Sequence, residues 1–349
     1  MKRILLTSTA LVAFAGAAAA EITFSGSADL GYNNITATGG NDNNLGFYSD
    51  LDITATFSQA LDNGLTVGAS LDLEDLGTSD NGQSYTLSLT SDTAGLHFGQ
   101  TEYAAVTHWS AVGDMAADGF SEQDDEAVLR GDVTFGNVDM SVSYNIDGGA
   151  LDGDLNQLSL GASASFGSVD VAFGYQEAGV APTPVSGTAA DFNTNEILGL
   201  SASTTYGAAD IALGYASNST TGEDSIGISV AYPVGPVTLS GSYVDNSLAG
   251  ERWDVSAAYA SGPVAVELST DEGASWALEG SYDVGNGLTI FAGLADAGED
   301  MYVAGQYDLG SGASLLVSFA DDADADNGDD EIGANDYQEG TTVELSFEF

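Results

Sequence analysis

The chain has 349 residues and carries 53 acidic side chains against 4 basic ones, for a formal net charge of −49. Nucleic-acid binding needs a basic footprint that this balance does not supply. With no cysteine, neither a disulfide framework nor a zinc–thiolate site is available.

Residues 1–20 read as a secretory signal peptide. Lys2 and Arg3 form a basic leader, residues 4–17 an apolar run, and Ala18, Ala19 and Ala20 a small-x-small cleavage site. A mature start at Glu21 leaves Arg130 and Arg252 as the basic residues, with every acid still in place. Beyond residue 20 no apolar run reaches the roughly 18 residues a membrane helix needs.

From Glu21 onward apolar and polar residues alternate. Ile22, Phe24, Ala28, Leu30 and Tyr32 fall on one parity, Thr23, Ser25, Ser27 and Asp29 on the other. Leu51, Ile53, Ala55 and Phe57 alternate with Asp50, Asp52, Thr54 and Thr56. Leu65, Val67, Ala69, Leu71 and Leu73 alternate with Thr66, Ser70, Asp72 and Glu74. The same pattern recurs at 158–166, 169–175, 226–232 and 288–294. It ends in Val343, Leu345, Phe347 and Phe349, with polar residues between. A strand sends alternate side chains to opposite faces, so each run has one greasy and one wet face. Runs of about 8–11 residues suit tilted membrane strands. A short helical period is expected near Gln123–Val128, and no sustained one elsewhere.

The connections alternate as well. Tight turns are predicted at 62–64, 92–95, 136–137, 167–168, 207–208, 233–236, 261–263, 285–287 and 310–312, rich in Gly, Asn, Asp and Pro. Longer polar loops fall at 33–45, 101–127, 146–156, 177–196 and 320–341. Short turns at one end and long loops at the other is the asymmetry of outer-membrane barrels. An aromatic stands one to three positions before the tight turn at Phe135, Phe166, Tyr206, Tyr232, Tyr259, Tyr282 and Tyr307. That nearly constant level fits an interfacial girdle, with Trp253, Trp276 and Tyr85 as candidates for the opposite one. The predicted fold is all-β, a transmembrane antiparallel up-and-down barrel with an even strand number. Counting segments gives up to 20. Hairpins between Trp253 and Phe319 that are really bends would lower that to 18 or 16. Phe347 and Phe349 are the candidate closure and assembly signal.

In a barrel the apolar face meets lipid and the polar face lines water. Asp29, Asp50, Asp52, Asp72, Glu74, Asp132 and Asp254 are thereby expected on the lumen wall. Leu129, Val133 and Phe135 face out, so Arg130 faces in, and Arg252 faces in beside Trp253 by the same parity. A lipid-facing charge costs about 2–4 kcal/mol at the midplane, which favours that placement.

The chain resembles the Gram-negative porins of alphaproteobacteria, of the Rhodobacter type. The likeness is closest in Glu21-Ile22-Thr23-Phe24-Ser25-Gly26-Ser27-Ala28, in residues 305–314 (GQYDLGSGAS) and in the terminal Phe. The resemblance implies a 16-strand trimeric barrel whose third long loop folds inward as a constriction. Two features depart from it. The segment count exceeds 16, and the basic row that faces an acidic constriction loop is nearly missing. If residues 101–127 fold inward, Asp114, Asp118, Glu122, Asp124, Asp125 and Glu126 narrow the channel with carboxylates, with Arg130 able to pair with one of them. Glu102 belongs to the same loop. Acidic rings favour cations.

Other chemistry finds little footing. His97 and His108 have no metal-ligand spacing, and no nucleophile elbow or catalytic triad is present, so no enzyme and no cofactor are expected. Residues 322–328 imitate a calcium loop with the glycine one place late, which suggests weak divalent-cation binding at most. The expected function is passive diffusion of small hydrophilic solutes and ions across the outer membrane, with cation preference. Expected partners are outer-membrane lipid, lipopolysaccharide and, through the resemblance, two further copies of the chain. A substrate-specific channel, a plugged barrel acting as a structural or adhesive surface protein, and a soluble β-sandwich remain open alternatives.

Overall fold

The computed structural model describes residues 20–34, 46–76, 82–123, 126–146, 155–181, 192–322 and 331–349. The predicted signal segment, Ala20 apart, lies outside them. The first half is built from β1 (Glu21–Asn33), β2 (Gly46–Ala60), β3 (Thr66–Glu74), β4 (Gly82–Thr90), β5 (Ala94–Gly99), β6 (Val128–Phe135), β7 (Val138–Ile146), β8 (Leu155–Phe166), β9 (Val169–Gln176) and β10 (Ile197–Tyr206). Then come β11 (Ala209–Asn218), β12 (Glu223–Val234), β13 (Val237–Asn246), β14 (Gly250–Ser261), β15 (Val264–Asp271), β16 (Trp276–Gly285), β17 (Leu288–Ala295), β18 (Asp300–Gly310) and β19 (Ala313–Asp321). A two-residue hairpin pair, β20 (Glu331–Ile332) and β21 (Tyr337–Gln338), precedes the last strand, β22 (Gly340–Glu348).

All the strands except β20 and β21 form one 20-stranded antiparallel sheet, in which each pairs with its neighbours in sequence. β22 pairs with both β19 and β1, which closes the sheet on itself. At the seam Gly26 and Phe349 exchange backbone hydrogen bonds of 3.0 Å in both directions. The 16 strands implied by the resemblance are therefore not matched. Every predicted tight turn is a real hairpin, including the three between Trp253 and Phe319. Closure pairs the edges that an open sheet would expose, and only closed barrels and helices can cross lipid that way. No helix among the described residues is long and apolar enough to cross a membrane.

The predicted parity holds around the cylinder. Outward positions carry the exposed Leu, Val, Ile, Phe and Tyr side chains, from Phe24 and Leu30 to Val343 and Phe347. All seven aromatics before tight turns are exposed on that face, reaching 78% at Phe135 and 80% at Tyr206. A soluble protein rarely shows an apolar patch beyond a few hundred Å². Here the whole outer wall is one. The turns beneath it need glycine for its backbone. At Gly136 and Gly167, with φ of +67° and +69°, an added Cβ would meet nothing within 4 Å, so conformation alone selects the residue.

The buried clusters lie on the other face. One joins Val112, Met115 and Ala117 to Ala216 and Val244; another joins Ala105 and Phe120 to Ile197. Each unites an inward wall residue with the long segment between β5 and β6. A third gathers Tyr302, Ala304 and Ala320 around Ile332 and Tyr337. The predicted short helix is not at Gln123–Val128. Gln123 is irregular and Val128 opens β6, while the helix of this segment, α1, is Ala104–His108. The small residues Ala104 and Ala105 let that turn lie flat on the wall.

Candidate functional site

The described residues of 100–127 enter the barrel and run across the inner wall from β6 to β14. At its start, Ala104 N donates to Ser143 Oγ (2.8 Å) on β7 and Ala105 N to Ser159 Oγ (2.9 Å) on β8. These are the first amides of α1, which no turn of helix can satisfy. His108 then bridges two wall hydroxyls, Ser163 Oγ at 2.9 Å from Nδ1 and Ser141 Oγ at 2.8 Å from Nε2. A neutral imidazole has one donor and one acceptor nitrogen, which suits this bridge. Burial lowers the His108 pKa from its ordinary value of 6.5, more than the nearby carboxylates of Asp132 and Asp139 raise it.

Further on, Trp109 lies over Gly199 and Gly174, and Val112 over Gly214 and Gly227. Gly161 faces the carbonyl of Ala104. Gly161, Gly174 and Gly199 are cross-strand partners, as are Gly214 and Gly227. β8 to β12 therefore present a side-chain-free track, and the segment lies in it. Its far end is held by Ala116 N to Asn246 Oδ1 (3.0 Å) and Ala117 N to Ser225 Oγ (3.1 Å). The return limb is fixed by Ser121 N to Gln176 Oε1 (2.7 Å). Alternation gives these glycines a face and not what approaches it.

The acids of this segment divide by their surroundings. Asp114 is 78% exposed, and Glu102 and Glu122 are exposed to the lumen. Asp118 is partly covered and accepts Trp109 Nε1–H at 3.0 Å; burial raises its pKa, against the opposing effect of that bond. Glu126 is 2% exposed and lies beneath the segment near Tyr103, away from the aqueous face. Asp124 and Asp125 lie outside the described residues.

The wall residues fall on the inward parity. Asp29 stands opposite Asp50 and Ser27 opposite Asp52 on the β1–β2 pair, with Asp72 opposite Thr54 on the next. Asp72 accepts from Thr54 (2.7 Å) and Ser84 (3.3 Å), and Asp52 accepts from the Asp75 amide (3.0 Å). Glu74 is exposed at the end of β3. Asp254 accepts from Ser242 on β13. Strands β1 to β3 thus carry an acidic stripe.

Both arginines face in, as parity requires, but Arg130 does not pair with a loop acid as expected. Arg130 pairs with Asp132 of its own strand (Nε to Oδ1, 3.0 Å), and His97 lies 3.1 Å from the same carboxylate. Toward the inserted segment Arg130 reaches the Glu102 carbonyl (2.9 Å) and Thr107 Oγ1 (3.1 Å), not a loop carboxylate. Asp132 is two residues away on the same face and wins by proximity. Arg252 pairs with the loop, at Asp114 (3.4 Å), and with Glu272 (2.9 Å).

One inward element was not expected from the sequence. The β20–β21 hairpin turns into the barrel and packs on β16 to β19. Glu279 on β16 accepts both the Tyr302 hydroxyl (2.9 Å) and the Ala334 amide (2.8 Å). Tyr337 lies 4.8 Å from the Tyr302 ring and 6.5 Å from Phe291. The signal was there, because Phe291 and Leu316 are apolar residues on the wet parity of their strands. Among the described residues no group of His, Asp and Glu could hold a metal ion. The calcium-like run at 322–328 lies, Asp322 apart, outside them.

A closed barrel with an apolar exterior, a polar interior and an inserted loop defines a channel of the outer-membrane type. The Gram-negative porin family profile matches residues 7–330, and the chain belongs to that family. It is thus a non-enzymatic diffusion channel of the outer membrane. Solved structures similar to it include a substituted Rh. blastica porin, at 14% identity and a TM-score of 0.49, covering 94% of this chain and 100% of that one. A triple mutant of Rhodopseudomonas blastica porin matches at 14% identity over the same shares, with a TM-score of 0.48. No curated protein matches the chain.

Proposed function

We propose that this porin is a general diffusion channel with cation preference, passing small hydrophilic solutes beside an acidic wall. The observation that carries the reading is the fate of positive charge. Arg130 is tied to Asp132, and Arg252 to Asp114 and Glu272. Asp29, Asp50, Asp52, Asp72 and Glu74 face the lumen with no arginine opposite them in the sheet. A low-dielectric cylinder focuses such a field and concentrates cations.

On this reading residues 1–20 are a cleaved signal and residues 21–349 the barrel. The channel assembles as a homotrimer in outer-membrane lipid and lipopolysaccharide, with weak divalent-cation contacts at the acidic loops. Reversal potentials across planar bilayers under a salt gradient test the central point. Cation preference is expected, reduced by Asp50→Asn with Asp72→Asn and by Asp118→Asn with Glu122→Gln. Anion preference in the wild-type channel rejects the reading.

A further inference from the structure

The two inserts occupy different arcs of the wall. The first covers β6 to β14; the β20–β21 hairpin covers β16 to β19. The hairpin is built into the fold rather than lying loosely in it. Ile332 and Tyr337 are buried against Tyr302, Ala304 and Ala320, with Phe291 and Leu316 beside them. Gly333 lies against the Tyr302 ring, where a Cβ would collide. The floor of the cluster, at Phe291 and Ala304, is about four residues in from the loop ends of β17 and β18. That is on the order of 13 Å of strand. The turn residues Ala334, Asn335 and Asp336 are exposed.

The geometry points to a second size-determining element. The β20–β21 hairpin, clamped by Glu279 and Tyr302, narrows the aqueous passage from the wall that the first insert leaves bare. A barrel of twenty strands is wider than one of sixteen, since diameter grows with strand number. One inserted loop then leaves a wider gap, and a second insert reduces it. The passage is displaced toward the acidic stripe of β1 to β3. This inference rests on the diffusion-channel reading and adds to it a residue-level determinant of the size limit.

The chain has no cysteine, so Ala334→Cys introduces a unique thiol in the full-length protein. Its side chain takes no part in the clamp, because the amide is the group bound to Glu279. Single channels in a planar bilayer are treated with a sulfonated and then a trimethylammonium methanethiosulfonate reagent. Each is expected to produce a stepwise loss of conductance that a reductant reverses. Conductance indifferent to both reagents overturns the inference.

A second measurement uses swelling of proteoliposomes in neutral sugars, which removes charge effects. Glu279→Ala is expected to raise the trisaccharide rate relative to the monosaccharide rate. Glu279→Gln, which keeps an acceptor oxygen, restores the wild-type ratio. An unchanged ratio in Glu279→Ala overturns the inference. Wild-type protein that passes no current at all would instead strike the diffusion-channel reading.

Discussion

Replacing Gly199 with alanine puts a methyl group where the Trp109 indole now lies. The new Cβ would stand 2.7 Å from Cε3 and 2.8 Å from Cζ3 of the ring. To regain ordinary contact the indole must retreat by about 0.7 Å, and overpacking of this kind costs roughly 1–3 kcal/mol. The ring cannot move alone. Its Nε1–H is bonded to Asp118, its ring packs edge-to-face with Phe120 at 5.9 Å between centroids, and its amide donates to the Ala105 carbonyl. The strain therefore passes into the whole insert, changing the ratio of seated to lifted loop by roughly 5- to 150-fold. The barrel wall is spared, because the partners of Gly199 on β9 and β11 bond through backbone alone. Single-channel recording of the refolded variant should show lower mean conductance and more open-channel noise. Gly131→Ala is the control, because there the nearest atom lies 3.8 Å away. A Gly199→Ala channel as quiet and as conductive as the control refutes the idea that the glycine track seats the loop.

Acidification should loosen the same insert. With its pKa lowered by burial, His108 stays neutral in the fold while the unfolded chain takes up a proton near 6.5. Stability from this group is present above that pH and declines as pH falls through it. Asp132, Asp139 and Arg130 face the ring and shape the slope. Thermal unfolding followed between pH 8 and 5 should show the decline in the wild type and a smaller one in His108→Gln; equal slopes refute the assignment. Arg252→Gln should leave the melting temperature nearly unchanged, because exposed ion pairs add little. It should shift the reversal potential further toward cations, and a shift toward anions would count against the proposed wall field.

The architecture was legible because lipid and water impose opposite demands on successive residues. Phe57 with Thr56, or Leu71 with Asp72, reveal their faces without any neighbour. The seven aromatics before the turns marked one rim, and the nine tight turns, with one opening and one closing strand, matched the twenty strands of the wall. Contacts between distant segments left no such trace. Gly161, Gly174 and Gly227 matter for what Ala104, Phe120 and Val112 bring to them, and those partners lie tens of residues away. The partners of Arg130 depend on a loop path that spacing does not encode. Apolar residues on the wet parity were the readable exception. Ile197, Val244, Phe291 and Leu316 each mark where an insert docks.

The seam has a consequence for how the molecule comes into being. Asn33 donates to Thr342 across 309 positions of sequence, and until those two strands meet both margins of the growing sheet stay open. Such distant pairing is slow to form, and open margins invite pairing with other chains. The cylinder is thus finished last at the place where its beginning touches its end. A chain halted before β22 would be an aggregation hazard rather than a smaller channel.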